Sequence, residues 1–353
     1  MEQTSGSTLV PRTSVLQVLS LGGLAALVLA LLAMPAPKLK TEPVAAAPHS
    51  PIQRCMGMGG ALEAPVEGAW GYTVRRPDIE AIARAGFDTI RLPVRVSAHT
   101  GTAPPYAISP DLLARMDQIV GWAIENHLNI IIDVHHFESL MTDPDNQLPR
   151  LDAIWDQLAA HYAHAPDNVI FELLNEPSDK MTVRRTGATN AELLHRIRQT
   201  NPNRWVILGT PLWGTLDGML RLNPASDPYV ITGFHYYSPF EFTHQGASWM
   251  DDPPPKGAVW GSQADYDTLA HDFDKAAAWG RDTGLPLFIG EFGVDRDVDP
   301  ALRARWTRAV RTAAESRDMS WCYWDWATSF GAWNQSSGTW IEPMRSALLD
   351  KSQ

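Results

Sequence analysis

The feature that most constrains this chain is a regular alternation, from Gln53 onward, between short β-rich runs and longer helical patterns. Eight runs rich in β-branched and aromatic residues predict strands, at 54–59, 89–93, 129–134, 168–174, 204–209, 229–234, 287–290 and 320–323. Helical patterns lie between them, at 78–85, 110–126, 151–163, 191–200, 264–283 and 300–316, with a last one after Trp340 and only a weak one at 213–226. Eight β-then-α units in one series predict an α/β fold, a single (β/α)8 TIM barrel over residues 53–353.

An open, doubly wound sheet is the structural alternative, and 353 residues could also form two ordinary domains. Doubly wound sheets that bind nucleotides carry a glycine-rich phosphate loop after the first strand, and this chain has none at the required spacing. The sequence therefore favours the barrel. A formal net charge of −11, with no run of lysine or arginine, argues against nucleic acid and anionic lipid headgroups as partners. We expect a monomer.

Residues 15–34 form an almost wholly apolar segment without charge, preceded by Arg12 and followed by Lys38 and Lys40. This pattern predicts export, with residues 1–14 as the N-terminal flank and the Pro- and Ala-rich residues 35–52 as a linker. The segment exceeds the usual apolar core of a cleaved signal, about 7 to 15 residues, and reaches the roughly 20 that span a bilayer, so a signal peptide and a transmembrane anchor both remain open. We expect the barrel outside the cytoplasm, whether periplasmic, extracellular or tethered to the inner membrane.

Cys55 and Cys322 are the only cysteines, which excludes a disulfide framework and a four-cysteine zinc site. They lie in the first and last predicted strands, which become neighbours if the barrel closes. A disulfide across adjacent parallel strands strains the geometry of the bridge. We therefore expect two free thiols.

The stretch VIFELLNEPS, residues 169–178, begins as a buried strand and stops at Asn175, Glu176 and Pro177. A proline brings no N–H to a strand ladder, so the strand ends before it. The carboxylate of Glu176 therefore lies at a strand tip after apolar sequence, where partial desolvation suits a proton donor. The alternative is a strand-ending turn with a solvated glutamate.

In a barrel, catalytic groups lie just past the C-terminal ends of the strands. Six predicted strand ends carry polar or aromatic residues here, namely Arg91, His135 with His136, Asn175 with Glu176, His235 with Tyr237, Glu291, and Trp324. Glu176 and Glu291 form the most informative pair, because two carboxyl groups in unlike environments can divide the roles of acid and nucleophile. The alternative for Glu291 is a structural ion pair with Arg91.

His135, His136 and His235 could be metal ligands, as in barrel amidohydrolases. Those enzymes usually carry His-x-His on the first strand, and the first strand here has no histidine. We therefore expect no metal and no other cofactor. Hydrogen bonding to substrate hydroxyls or to a catalytic carboxylate is the favoured interpretation, and a buried core histidine is the alternative for one of the three.

Five motifs together resemble glycoside hydrolase family 5: IRLPV at 90–94, DVHHFE at 133–138, LNEP at 174–177, HYYSPFEFTHQG at 235–246 and IGEFG at 289–293. The resemblance runs from about Arg54 to Leu349. LNEP occurs across related glycosidase barrels. HYYSPFEFTHQG followed by WGS at 260–262 is more specific, and is similar to the branch of bacterial cellulases, some of which also act on mannan.

The resemblance implies that Glu176 is the acid/base and Glu291 the nucleophile of a retaining mechanism, with carboxyl groups about 5 to 5.5 Å apart. It also implies supporting or substrate-binding roles for Arg91, His135, His136, Asn175, His235, Tyr237, Trp324 and Glu63. Gly57 and Gly60 depart from the pattern, because that branch normally has asparagines at these places before Ala-Leu-Glu. We expect the two glycines to widen the cleft.

The chain contains 14 tryptophans, of which we expect about four to contact substrate, since few groups line a ligand site. Trp213, Trp249 and Trp260 lie in the loops after the fifth and sixth predicted strands. Each is interpreted either as a further sugar subsite or as loop packing.

We hypothesise an exported or tethered endo-acting β-glycosidase that cleaves β-1,4-linked glucan, with β-mannan or mixed-linkage glucan as alternatives. A non-hydrolytic sugar-binding protein would have lost a glutamate, and both are present. A metal-dependent barrel hydrolase is the other alternative, which a chelator would inactivate. The sequence leaves open whether the substrate is plant polymer or the cell's own envelope glucan.

Overall fold

The computed structural model describes residues 49–350, which contain a closed barrel of eight parallel strands. Its strands are β1 (Arg54–Gly57), β2 (Thr89–Val94), β3 (Asn129–Val134), β4 (Val169–Glu172), β5 (Val206–Ile207), β6 (Val230–His235), β7 (Leu287–Phe292) and β8 (Ser320–Tyr323). Neighbouring strands pair in sequence order, and β1 also pairs with β8. The predicted fold class is therefore confirmed.

The predicted N-terminal flank, the predicted signal or anchor and most of the predicted linker lie outside the described residues. Within residues 49–350, no helix is long and apolar enough to cross a membrane.

Helices connect the strands and surround the barrel. They are α1 (Arg76–Arg84), α2 (Pro110–Glu125), α3 (Glu138–Thr142), α4 (Pro144–His161), α5 (Val183–Arg198), α6 (Leu216–Leu220), α7 (Phe240–Thr243), α8 (Gln263–Thr283), α9 (Pro300–Glu315) and α10 (Glu342–Leu349). A 3-10 helix (Val96–His99) and a small hairpin of β9 (Trp333–Asn334) and β10 (Thr339–Trp340) complete the elements. The predicted helices are present, but α4 begins at Pro144 instead of Leu151 and α5 begins at Val183 instead of Ala191.

The alternation of side chains along each strand divides the core in two. Ile130 and Ile132 of β3 pack outward in the large cluster that includes the helices. Ile131, between them, faces the barrel axis, because successive side chains of a strand point to opposite sides. The inner apolar cluster contains Ile52, Cys55, Ile131, Ile170, Trp205, Ile207, Ile231, Phe288 and Cys322.

The two cysteines of this inner cluster form a disulfide, so the expectation of two free thiols was wrong. Cys55 of β1 is directly opposite Cys322 of β8 in the ladder, and their Cα atoms are 4.1 Å apart. Closure of the barrel causes the proximity, since it pairs the first strand with the last and turns both side chains toward the axis.

Two residues further along the same strands, the inward-facing side chains become charged. Asp133 follows Ile131 on β3, and Glu172 follows Ile170 on β4. Both carboxylates are buried and lie toward the C-terminal ends of the strands. The interior of the barrel therefore has a lower apolar level and an upper charged level.

Candidate active site

Arg91 is the central residue of the upper level. Its guanidinium is fully buried and lies 2.6 Å from Glu291, 2.7 Å from Glu172 and 2.9 Å from Asp133. It also donates to the side-chain oxygen of Asn175 at 2.8 Å. The rigid fork of donors in arginine suits it to several acceptors at once. One cation thus organises three carboxylates, and the ion pair with Glu291 belongs to a larger network.

Glu291 lies at the end of β7 and is 5 % exposed. Besides Arg91, its carboxylate accepts a hydrogen bond from the hydroxyl of Tyr237 at 2.8 Å. Burial by itself raises the pKa of this carboxyl, but the positive charges of His235 and Arg91 outweigh burial and lower it to about 2. Glu291 is therefore ionised at neutral pH and held in one orientation, as a nucleophile requires.

His235 lies between the two glutamates. The ladder between β6 and β7 shifts register at this residue, so that His235 pairs with Glu291. Its Nδ1 is 2.7 Å from Glu176 and 3.7 Å from Glu291. A Cβ on Gly290 would lie only 2.8 Å from its ring, so a glycine is needed there. Burial lowers the pKa of His235, but the two carboxylates raise it above its usual value.

Glu176 follows β4 in a left-handed backbone conformation, with φ of 45°, a region that most residues avoid. Its side chain remains 31 % exposed, in contrast to the buried Glu291. One oxygen of each glutamate and a ring nitrogen of His235 lie within 4.8 Å of one another. The two carboxyl groups therefore converge in one place from unlike environments.

His135 and His136 follow β3 on the adjoining wall. His135 Nδ1 is 2.5 Å from Asp133. Burial, together with the charge of Arg91, lowers the pKa of His135 to about 4, and burial and His135 lower that of His136 to about 3. Both rings are thus neutral at neutral pH. A proton on Nδ1 of His135, donated to Asp133, leaves Nε2 free as an acceptor for a hydroxyl group.

Trp324, just after β8, and Glu63, on the loop after β1, complete the predicted site residues. The indole of Trp324 is parallel to the ring of His135, with centroids 5.7 Å apart. Glu63 is buried and accepts backbone N–H groups of Gly60 and Ala61. Burial raises the pKa of Glu63 to about 8, so this carboxyl keeps its proton at neutral pH.

An open cleft of about 660 Å³, a size typical of ligand sites, is lined by Glu63, His135, His136, Asn175, Glu176, Tyr237, Glu291 and Trp324. It also contains the side chains of Trp70, His244, Trp249, Thr328 and Phe330. A larger groove of about 1070 Å³ lies on the outer surface between α8 and α9 and contains none of the strand-end residues. The cleft at the strand ends is therefore the candidate site.

The structure separates the three loop tryptophans. Trp249 lines the cleft and is 54 % exposed, and Trp213, on the loop after β5, is 55 % exposed. Trp260 is 4 % exposed and packs against Tyr266, with ring centroids 4.8 Å apart, so its prediction as a subsite was wrong. Its burial follows from its position just before α8, where it joins the outer core.

Sequence analysis missed several residues of the site. Trp70, on the loop after β1, is 48 % exposed and contacts the edge of His136. Asp133 and Glu172 bind Arg91, yet each lies inside an otherwise apolar run of the sequence. The only sequence signal for either residue was an acidic side chain at a position that strand alternation turns toward the barrel axis. The sequence signal available for Trp70 was a tryptophan in a glycine-rich loop.

The expected widening of the cleft at Gly57 and Gly60 stays a prediction, and the structure shows what lies beside each glycine. A Cβ on Gly57 would meet the indole of Trp324 at 3.1 Å, and one on Gly60 would overlap the side chain of Thr328. Groups at the end of β8 and in the loop after it therefore lie where a Cβ would be at these two glycines.

Among the described residues, one cluster could hold a metal ion, namely Glu176, His235 and Glu291. The guanidinium of Arg91 lies 2.6 Å from Glu291, and His235 is already bonded to Glu176. A bound cation would be repelled by Arg91 and would have to displace that bond. The arrangement suits hydrogen-bonded carboxylates better than a metal cage.

A (β/α)8 barrel with two carboxyl groups this close, in a cleft lined by aromatic side chains, has the form of a glycoside hydrolase. A sequence model of the family described as Cellulase (glycosyl hydrolase family 5) matches residues 58–329. The chain belongs to glycosyl hydrolase family 5.

Individual relatives agree with this membership. Endoglucanase H of Acetivibrio thermocellus is 33% identical over 289 residues, which are 81% of this chain but 31% of that protein. A hyperthermophilic endo-β-1,4-glucanase solved with substrate has 38% identity and a TM-score of 0.83, covering 85% of this chain and 97% of its own. Cel5A of Thermotoga maritima, solved with mannotriose, has 35% identity and a TM-score of 0.82, covering 84% and 97%. The chain thus spans about a third of the length of Endoglucanase H and nearly all of these two structures.

Proposed function

We propose that this protein is a retaining endo-β-1,4-glucanase that cleaves β-1,4-glucan by double displacement. The observation that carries the proposal is the approach of Glu176 and Glu291 to within 4.8 Å in unlike environments. Retaining enzymes place their carboxyl groups about 5 to 5.5 Å apart, whereas inverting enzymes leave about 6.5 to 9.5 Å for a water molecule. The short separation supports direct attack by one carboxylate on the sugar.

In the first step, Glu291 attacks the anomeric carbon and forms a glycosyl-enzyme bond, while Glu176 gives its proton to the leaving oxygen. Arg91 and Tyr237 keep Glu291 ionised and oriented before the attack. In the second step, Glu176 removes a proton from water, and the resulting hydroxide displaces Glu291 from the sugar. The 31 % exposure of Glu176 leaves room for that water, and His235 holds the carboxyl in place.

The reacting sugar would lie on the indole of Trp324, with His135 as acceptor and Asn175 as partner for its hydroxyl groups. Asn175 is fixed for this role by its bond to Arg91. Trp70 and Trp249, both about half exposed on the cleft walls, provide apolar faces for neighbouring sugars. Glucan is supported as substrate by the names of the relatives. Mannan is the second candidate, since the similar Thermotoga maritima structure contains mannotriose.

The test is product analysis on carboxymethylcellulose, mixed-linkage glucan, mannan and xylan. We expect reducing ends to appear fastest from carboxymethylcellulose, and the first product to carry the β configuration by proton NMR. Glu291→Gln should abolish release, whereas Glu241→Gln, a matched change at an exposed glutamate of α7, should not alter it. An α product would contradict the retaining mechanism. Turnover by Glu291→Gln at the original rate would contradict the assignment of the nucleophile.

The same proposal places the enzyme outside the cytoplasm, supported by the uncharged apolar residues 15–34 and their basic flanks. When residues 1–48 are fused to a phosphatase that is active only after export, the cells should show phosphatase activity. Recovery of the fusion with membranes would favour an anchor, and recovery in the soluble periplasm would favour a cleaved signal. An inactive fusion would contradict export.

A further inference from the structure

Three glycines lie at the end of the first strand and in the turn just after it, beside the candidate site: Gly57, Gly59 and Gly60. Only Gly60 has a positive φ, of 80°, which a side chain would disfavour. The backbone of Gly57 and Gly59 is outside the left-handed region, so their conformation does not require glycine. What requires glycine at these two positions is the space beside them.

That space is occupied by the indole of Trp324. A Cβ on Gly59 would lie 2.8 Å from Cζ2 and 2.9 Å from Cη2 of the indole, and a Cβ on Gly57 would lie 3.1 Å from Cε3. All three atoms belong to the six-membered ring, which is rigid and cannot yield as the tip of a flexible side chain can. The indole therefore leaves no room for a side chain at either glycine.

Two other side chains of the site lie near the indole. The ring of His135 is stacked parallel to it, and the guanidinium of Arg91 lies 6.0 Å from its centroid. His135 is held by Asp133, and Arg91 is held by three carboxylates. A displaced indole would move into the cleft or press on these groups. A methyl group at Gly59 would thus change the geometry around Glu291.

We propose that Gly57 and Gly59 are positioning residues that set the height of the Trp324 indole and hence the distance of the reacting sugar from Glu291. The inference rests on the proposed function, because it concerns the sugar that Glu291 attacks. It assigns the glycines a role in the rate of the chemical step, since a displacement of about 1 Å can cost about 10²-fold in rate.

The test compares Gly59→Ala and Gly57→Ala with the wild type on cellotetraose. Gly59→Ala should lower kcat/KM by about 10- to 100-fold, mostly through kcat. Gly57→Ala, with the looser contact, should have a smaller effect. The matched controls are Gly121→Ala and Gly187→Ala in α2 and α5, where an added Cβ meets nothing within 4 Å, and both should retain wild-type kinetics. Wild-type kinetics for a folded Gly59→Ala would overturn the proposal.

A double-mutant cycle with Trp324→Phe separates positioning from a general structural defect, including the contact that a Cβ on Gly59 makes with Asp325. Phenylalanine lacks the outer part of the indole, so Gly59→Ala in this background should lower kcat/KM by less than about threefold. An equal loss in both backgrounds would overturn the proposal. A wild type without activity on every polysaccharide would contradict the proposed function itself, whereas an active wild type with an equally active Gly59→Ala contradicts this inference alone.

Discussion

The lower and upper levels of the barrel interior have opposite characters, although they are only two residues apart on the same strands. On β3, Ile131 belongs to the apolar cluster and Asp133 binds Arg91. On β4, Ile170 belongs to the same cluster and Glu172 binds Arg91. On these two strands the ladder is regular at both levels. Only the side chains differ, so one set of strands provides both the packing and the charged site.

The difference teaches that burial of the charged groups in the upper level is costly for the fold, whereas burial of the apolar groups in the lower level stabilises it. Burial raises the pKa of Asp133 to about 7 and also raises that of Glu172, which means that the fold holds charges in a place that disfavours them. The lower level buries apolar groups and a covalent link. We therefore expect changes in the upper level to alter kinetics and changes in the lower level to alter stability.

The largest expected effect on kinetics lies in the upper level, at Glu176. Glu176→Ala should reduce kcat/KM on cellotetraose by about 10² to 10⁴-fold, the usual contribution of general acid catalysis. On a dinitrophenyl β-cellobioside the loss in the first step should be much smaller, because that leaving group departs without a proton. Steady-state and burst kinetics on the two substrates provide the measurement. An equal loss on both substrates would contradict the role of proton donor.

The next effect lies in the lower level, at the disulfide. Replacing Cys55 and Cys322 together with alanine should lower the free energy of unfolding by about 2 to 5 kcal/mol. Because neither residue contacts the cleft, kcat/KM should change less than about twofold. Urea unfolding with and without dithiothreitol gives the measurement, and the reductant should affect only the wild type.

Ile231→Val is the matched control in the same cluster. It should lower the free energy of unfolding by about 0.5 to 1.5 kcal/mol and leave the kinetics unchanged. Two free thiols in the denatured, unreduced wild type would contradict the disulfide. A large kinetic loss without loss of stability would break the distinction between the levels.

A smaller effect concerns pH. In the proposed mechanism Glu291 must be ionised to attack, so kcat/KM falls as the pH drops through the pKa of Glu291. The hydrogen bond from Tyr237 favours the ionised form, and Tyr237→Phe should raise that pKa by about one unit or less and move the acidic limb to higher pH. Tyr236→Phe is the control, since its hydroxyl bonds Asp272 instead. If the acidic limb of the pH profile stays in place in Tyr237→Phe, or shifts equally in both variants, the assigned role of the Tyr237 hydrogen bond is contradicted.

The smallest expected effect lies at the rim. Trp249→Ala should lower kcat/KM for cellohexaose about three- to tenfold more than for cellotriose, because an exposed platform acts on distant sugars. Trp260→Ala should instead destabilise the fold by about 3 to 5 kcal/mol, as expected for a buried tryptophan. Equal effects of Trp249→Ala on short and long substrates would indicate packing rather than a subsite.

The alternation of β-rich and helical runs was sufficient to predict the eight-stranded barrel, because strand and helix periodicity are local properties. The predicted strand tips included most polar groups of the cleft for the same reason, since parallel strands end on one face. Boundaries were less predictable. The fifth strand was expected at 204–209 and is only Val206–Ile207, because ladder geometry, not composition, ends it.

The sequence by itself determined the barrel, the two glutamates and their order along the chain. Tertiary structure alone decided which distant residues meet. Barrel closure paired Cys55 with Cys322, and the register of β2, β3 and β4 brought Asp133 and Glu172 to Arg91. The physical reason is that the side-chain periodicity of a strand or helix depends only on residues two to four positions apart in the sequence. Contacts across a closed barrel depend instead on where each of the preceding strands ends.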